Sequence, residues 1–317
     1  VPRNLILLNG PEREMKTLKN TSLRTRILVI AIIVGSTIST SALARQDVVE
    51  ESFSVSKGGT LYLDIDWGNV EVITGSGNTV SITMERDVDG ASSRELEEIL
   101  EHHEYYLDRD GDDVVVESEF DQDENDRAWR RWKRENHLEI DFYITVPADY
   151  NVDFITGAGN VEIDDLYGMI DGRTGAGNVT IGDIEGPVDV STGAGNIRLK
   201  GAEGRIHVHS GAGDIILDDV LGEIDARTGA GNIEATITED LYGDSSFNTG
   251  AGNVIVYLDD TVGADVEARS SLGNAKSDFD LRVRGKWMSK SFSGEVNGGG
   301  PEISLSAGVG NVSLRRN

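Results

Sequence analysis

"TGAGNVEIDDLYGMIDGR", residues 156–173, is followed without a gap by "TGAGNVTIGDIEGPVDVS" (174–191) and "TGAGNIRLKGAEGRIHVH" (192–209). The motif returns as "SGAGD" at residue 210 and as "TGAGN" at 228 and 249. A fixed period is the mark of a repeat architecture, in which one unit cannot bury its apolar face alone but stacked units can.

Counting from the threonine, columns 2 and 4 are glycine in every copy: Gly157 and Gly159, Gly175 and Gly177, Gly193 and Gly195, Gly211 and Gly213, Gly229 and Gly231. Column 5 is Asn160, Asn178, Asn196, Asp214 and Asn232. These residue types tolerate φ > 0, so columns 2–5 read as a fixed corner. Columns 6 and 8 are apolar (Val161/Ile163, Val179/Ile181, Ile197/Leu199) with variable residues between them, the alternation of a half-buried strand. A second corner falls at column 13 (Gly168, Gly186, Gly204, Gly222), and a second strand turns Ile170, Val188, Ile206 and Ile224 inward at column 15. Its column 16 faces outward as Asp171, Asp189, His207 and Asp225. Each unit is strand, corner, strand, corner. The spacing predicts an all-β, single-stranded β-solenoid (β-helix) with coils of 18 residues stacked about 4.8 Å apart. Aligned asparagines are expected to form an amide ladder.

Two other readings of the glycines fail. A phosphate-binding loop occurs once and ends in GK[ST], and no lysine follows this motif. A calcium-binding nonapeptide needs an aspartate where this chain has Val161, Val179, Ile197, Ile215, Ile233 and Val254.

The pattern extends beyond the regular copies. "TGAGNIEATITEDLYGDSSFN" (228–248) is a coil of 21 residues, "SLGNAKSDFDLRVRG" a degraded coil, and "GGGPEISLSAGVGNVSLRRN" a last corner and strand. "GGTLYLDIDWGNVEVITGSGNTVSIT" (58–83) reads as the first coils. Between the first coils and the regular repeat, "SSRELEEILEHHEYYL" (92–107) has helical spacing of Leu96, Ile99, Leu100 and Leu107 behind a serine cap. "DRDGDD" is a turn, "VVVESEF" a strand, and "DQDENDRAWRRWKRENH" a charged loop. A short helix and charged loop are thus expected as an insertion that caps the open end of the stack.

At the other extreme, Lys16, Lys19, Arg24 and Arg26 precede the apolar run Ile27–Val34, and Ala42-Leu43-Ala44 follows. This is the form of a secretory signal peptide, and the run is shorter than the about 20 residues a spanning helix needs. The expected organisation is an upstream extension (1–14), a signal peptide (15–44), N-terminal coils with the helix and loop insertion (45–147) and the regular solenoid (148–317). No integral membrane segment is expected in the mature chain. The sequence has 29 Lys/Arg and 56 Asp/Glu, a formal charge of −27. Residues 1–44 hold six of the bases and two of the acids, so cleavage would leave 23 and 54, a charge near −31. Such a charge excludes nucleic acid as a partner and disfavours anionic membrane surfaces. With no cysteine there is neither a disulfide framework nor a thiolate nucleophile.

Candidate chemistry is sparse. The outward row Asp171, Asp189, His207 and Asp225 lines up carboxylates at spacings that glycoside hydrolysis can use, but a flat exposed ladder is not expected to raise a carboxyl pKa. His207 and His209 share a strand face, and H-x-H alone is a weak metal motif. Trp129 and Trp132 in "RAWRRWKR" either pack on the solenoid end or form a sugar-stacking platform. No GxSxG, metal motif or cofactor motif is present, so no catalytic residue, metal or cofactor is assigned.

The stretch "ITVPADYNVDFITGAGNVEIDDLYGMIDGRTGAGNV", with the closing "GEVNGGGPEISLSAGVGNVSL", resembles the bacterial putative-adhesin family, which is similar to the GIN domain of autotransporter-adhesin heads. The resemblance runs from about residue 50 onward. It implies a non-enzymatic β-helix of the cell envelope and offers no catalytic motif to carry over. An autotransporter would continue into a membrane β-barrel, which is not found by residue 317, so a periplasmic, released or protein-held location is expected. The functional expectation is a secreted envelope scaffold or adhesin binding a polysaccharide or a protein. An envelope-stress signalling accessory and a polysaccharide-active enzyme are the alternatives.

Overall fold

The computed structural model describes residues 47–88, 100–120, 138–286 and 289–317, all within one unit, Ala44–Asn317. The signal-peptide segment and the Trp129/Trp132 loop lie outside the described residues.

The chain begins with β1 (Asp47–Ser54), β2 (Thr60–Trp67), β3 (Asn69–Gly75) and β4 (Thr79–Val88), then a hairpin of β5 (His103–Asp110) and β6 (Asp113–Phe120), then β7 (Leu138–Pro147). The repeat supplies β8 (Asn151–Ala158), β9 (Val161–Ile163), β10 (Ile170–Ala176), β11 (Val179–Glu185) and β12 (Val188–Ala194). It continues as the long β13 (Ile197–Ala212), β14 (Ile215–Leu217), β15 (Val220–Ala230), β16 (Ile233–Ile237), β17 (Ser245–Ala251) and β18 (Val254–Leu258). After these come β19 (Ala264–Leu272), β20 (Ala275–Ser277), β21 (Arg282–Lys286), β22 (Ser289–Val296), β23 (Glu302–Val309) and β24 (Val312–Arg316).

Hydrogen bonding arranges these strands into two long ladders around a common core. The first runs β5–β6–β2–β8–β10–β12–β13–β15–β17–β23–β19–β22–β21. The second runs β1–β4–β7–β3–β9–β11–β13–β14–β16–β18–β24–β20. Pairing is parallel through the stack and antiparallel only near its two ends. Like columns meet: Thr174 lies opposite Thr156 and Thr192, and Val179 opposite Val161 and Ile197. The protein is an all-β solenoid, as the period requires.

The interior is filled by columns 6, 8, 15 and 17, with Ile181, Ile197, Ile206 and Val208 fully buried. Volume is matched between coils: the ring of Phe154 occupies the space over Gly172, and Phe247 lies opposite Ala226. Column 1 also points inward. Thr192, Ser210 and Thr228 are buried and donate to the carbonyls of Gly177, Gly195 and Gly213 at 3.1, 2.9 and 2.9 Å, tying each corner to the preceding coil.

The asparagine column behaves as expected. Asn160 Oδ1 accepts from the Asn178 amide at 3.0 Å, Asn178 from Asn196 at 2.9 Å, Asn196 from Asp214 at 2.8 Å, and Asp214 from Asn232 at 2.7 Å. The ladder extends outward to Asn69 and to Asn253, Asn311 and Asn274. Each rung satisfies one backbone donor at the solvent edge. Asn196→Ala is therefore expected to cost about 1 kcal/mol in urea denaturation, the size of one exposed hydrogen bond, without loss of fold.

Three features differ from the sequence expectation. Coils have a third short side at columns 10–12, where Leu166, Ile184, Ala202 and Val220 are buried and Asp183 and Ile184 lie opposite Gly201 and Ala202. One apolar residue between Asp, Glu and Gly has no readable period, so this side looked like part of a turn.

Second, the helix expected at 92–107 does not reach its expected end: Leu100 is its last helical residue. Residues 103–107 belong to β5, folded onto β6 across a tight Gly111-Asp112 turn with Gly111 at φ 65°. The pairing turns His103, Tyr105 and Leu107 to one face, opposite Phe120, Ser118 and Val116. That cross-strand contact overrides the helical spacing. Residues 91–99 lie outside the described residues.

Third, chain order and stacking order diverge at both ends. The coil β23–β24 is not outermost but lies between β17–β18 and β19–β20. Likewise β2–β3 lies between β6–β7 and β8–β9.

Candidate functional site

Period-18 register brings the outward column 16 of the first ladder into one row. Asp153 lies opposite Asp171, Asp171 opposite Asp189, Asp189 opposite His207, and His207 opposite Asp225. The row continues into Ser246 and Ser304. Strand alternation puts every one of these side chains on the face away from the core. Asp171, Asp189, His207 and Asp225 are thus gathered as the sequence suggested. Asp153 was missed, although it stands 18 residues before Asp171 in a coil without the TGAGN corner.

Neighbouring columns turn this row into an open groove. A cavity of about 400 Å³ is lined by Met169, Asp171, Pro187, Asp189, Arg205, His207, Glu223 and Asp225. An adjoining one of about 290 Å³ shares Glu223 and Asp225 and adds Asp244, Ser246, Glu302 and Ser304. Three of its carboxylates have a basic side chain beside them. His207 Nδ1 is 3.4 Å from Asp189 Oδ1, Arg227 Nη2 is 2.8 Å from Asp225 Oδ2, and Arg205 Nη2 is 3.5 Å from Glu223 Oε2. Ser246 Oγ donates to Asp225 Oδ1 at 2.8 Å. His209 sits two columns away, opposite Ser191 on one neighbouring coil and the cationic Arg227 on the other, and neither is a metal ligand.

The carboxyls at one end of the row are perturbed, contrary to the expectation for a flat ladder. Desolvation, and then the charge of Asp171, push Asp153 up to about 6 against the opposing pull of Arg173. Asp171 is raised in the same way, by desolvation and then by Asp189. Partial burial on the sheet face, with the repulsion of a like charge one coil away, does here what an enclosed pocket does elsewhere.

A second cluster was invisible in the sequence because its members are far apart in the chain. His103 Nε2 is 2.8 Å from Ser118 Oγ, its Nδ1 is 3.1 Å from Arg86 Nη1, and Arg86 in turn pairs with Asp47. The imidazole stacks on Phe120 with centroids 4.8 Å apart. This resembles a nucleophile and base only in outline. Ser118 is fully buried, and the group behind the imidazole is a cation, which opposes the imidazolium that a general base must form. Burial, and then Arg86, lower His103 to about 4, with Asp47 opposing. The cluster instead joins β1 and β4 of one ladder to β5 and β6 of the other.

His103 binds protons more weakly folded than unfolded, so its contribution to stability is present above about pH 6.5 and is lost as pH falls toward 4. Asp153, raised when folded, acts oppositely, its contribution fading as pH rises through about 6. The His103 ring proton is expected to titrate by NMR with a midpoint near 4. A midpoint near 6.5 would mean that the imidazole is hydrated.

Taken together, these features define a parallel β-solenoid with an open polar groove on one face. The chain belongs to the Toastrack DUF4097 family, which it matches over residues 132–315. No curated protein matches it. Among solved structures, it is similar to a putative adhesin from Bacteroides fragilis (13% identity, 86% of this chain and 97% of that one covered, TM-score 0.46). It is also similar to a putative lipid binding protein from Parabacteroides distasonis (12%, 86% and 97%, TM-score 0.34) and a putative cell adhesion protein from Clostridium sporogenes (15%, 86% and 100%, TM-score 0.30).

Proposed function

We propose that the protein is an exported, non-enzymatic scaffold of the cell envelope that holds an extended polysaccharide along the first ladder. The observation carrying this reading is the in-register row Asp153, Asp171, Asp189, His207, Asp225 and Ser246, whose members from Asp171 to Ser246 line a groove that crosses successive coils. Carboxylates and serine oxygens repeated about every 4.8 Å offer a polymer of hydroxyl donors one acceptor per coil. The adhesin assignment, the likeness to the GIN domain, the signal peptide at 15–44 and the domain limits at 147/148 belong to this proposal. The described residues contain no helix long and apolar enough to cross a membrane.

Asp153 supports one competing reading. A carboxyl raised to about 6 with a second carboxyl, Asp171, opposite it on the next coil is a pair of the kind that acid–base cleavage of a glycosidic bond uses. One experiment separates the two. The chain is incubated with a panel of envelope and extracellular polysaccharides, and retention is recorded together with released reducing or unsaturated ends. Retention without product, weakened about tenfold in the Asp171→Asn/Asp189→Asn double variant, is expected for the scaffold; tenfold corresponds to about 1.4 kcal/mol. Product formation that Asp153→Asn abolishes would establish the enzyme. Neither outcome would move the search to a protein partner, as an envelope-stress accessory requires.

A further inference from the structure

We propose that the solenoid stacks head to tail on a second copy of itself, with β21 of one copy pairing antiparallel with the β5 edge of the next and so continuing the first ladder. The inference is independent of the ligand groove.

Among the described residues, β5 pairs only with β6 and β21 only with β22, so each presents a row of backbone donors and acceptors without a strand partner. Such an edge is a template for another strand. Direction is compatible. The body of the first ladder is parallel, β5 runs against it, and β21, after two antiparallel steps, runs with it. Translating a copy along the stack therefore places β21 and β5 antiparallel.

Side-chain rows also match. In β21, Val283 lies on the inward row opposite buried Phe292, yet it is 53% exposed, no coil among the described residues covering it. In β5, Tyr105 is on the inward row opposite buried Ser118 and is 43% exposed. On the outward rows, with Val283 opposite Tyr105, Arg284 of one edge would lie directly opposite Glu104 of the other, and Arg282 opposite Tyr106 and diagonal to Asp108; the four charged residues are exposed. Opposite charges directly across a strand pair stabilise it, while like charges oppose it. Two β5 edges would bring acid against acid and two β21 edges base against base, so each edge rejects its own kind and accepts the other.

The second ladder does not extend in the same way. Its N-terminal edge carries Glu51 on the inward row of β1, opposite buried Ile82, and its C-terminal strand β20 has three residues. Contact is thus confined to about five residue pairs, the length of β21. It is heterologous, so it leads to open-ended assembly rather than to a closed dimer. Its strength should depend on concentration.

Sedimentation velocity of the full chain in about 0.15 M salt tests this, since the Debye length of about 8 Å there screens the overall negative charge but not contact pairs. Wild type is expected to sediment faster as its concentration rises tenfold. The Arg282→Glu/Arg284→Glu variant, acidic at both ends, and the Glu104→Arg/Asp108→Arg variant, basic at both ends, should each stay at the single-chain value. An equimolar mixture of the two should recover the concentration dependence. Circular dichroism establishes that each variant is folded. A wild type that remains a single chain throughout, association indifferent to both reversals, or a mixture that fails to recover would each overturn the proposal.

Discussion

Gly159→Ala is expected to unfold the protein or to cost more than about 4 kcal/mol in denaturant titration. The residue sits at the column-4 corner with φ 137°, which L side chains rarely adopt. A Cβ placed there would lie 1.9 Å from the carbonyl oxygen of Gly68 in the adjacent coil. That obstacle is backbone, and its position is fixed by the pairing of β2 with β8 and β3 with β9, so neither coil can retreat without breaking both ladders. Strain at a forbidden φ contributes about 1–3 kcal/mol, and loss of the coil contact adds to it. Against a total stability of about 5–15 kcal/mol this is close to the whole. Gly77→Ala is the control: nothing lies within 4 Å of its added Cβ, and it should denature like wild type. Equal behaviour of the two variants would mean that the corner is not closely stacked.

Ile206→Asp should be as damaging for a different reason. Ile206 is fully buried in column 15, between Val188 and Ile224 of the neighbouring coils. A carboxylate there has no partner and must either protonate or draw water into the stack, at a cost of several kcal/mol. One column along in the preceding coil, Asp189→Ala changes the opposite face of the same sheet, removes a 3.4 Å contact with His207, and should leave the denaturation midpoint nearly unchanged. If both substitutions were tolerated alike, the inward and outward assignment of columns 15 and 16 would be wrong.

These contrasts show why the architecture was legible. A period of 18 with glycine at columns 2 and 4 leaves one arrangement in which every copy makes the same corner, and alternation around Val179 and Ile181 fixes which face is inside. The third side was hidden because Ile184 stands alone among Asp183, Glu185 and Gly186, with no second apolar residue to give a period. The β5 hairpin was misread because the leucine spacing at 96–107 is local, whereas the contact of His103 with Phe120 and Ser118 is not. The acid row was legible as a column, since register aligns Asp171, Asp189, His207 and Asp225. Its electrostatics were not, because the rise of Asp153 depends on how its neighbours exclude water, and no spacing encodes that.

The interleaved coil near the C-terminal end bears on how the molecule is made. Thr249 in β17 lies opposite Ala307 in β23, 58 residues later, and β19 reaches the body of the first ladder only through β23. A chain emerging vectorially from a ribosome or a translocation pore can add coils one after another as far as β18. From there, β19 to β22 have no place to dock until residues 302–316 arrive. Closing so long a loop is slow compared with adding the next coil. The final stage of folding therefore waits for residues 302–316, and until they arrive the β17 and β18 edges stay open to any strand that comes first, including one from another chain.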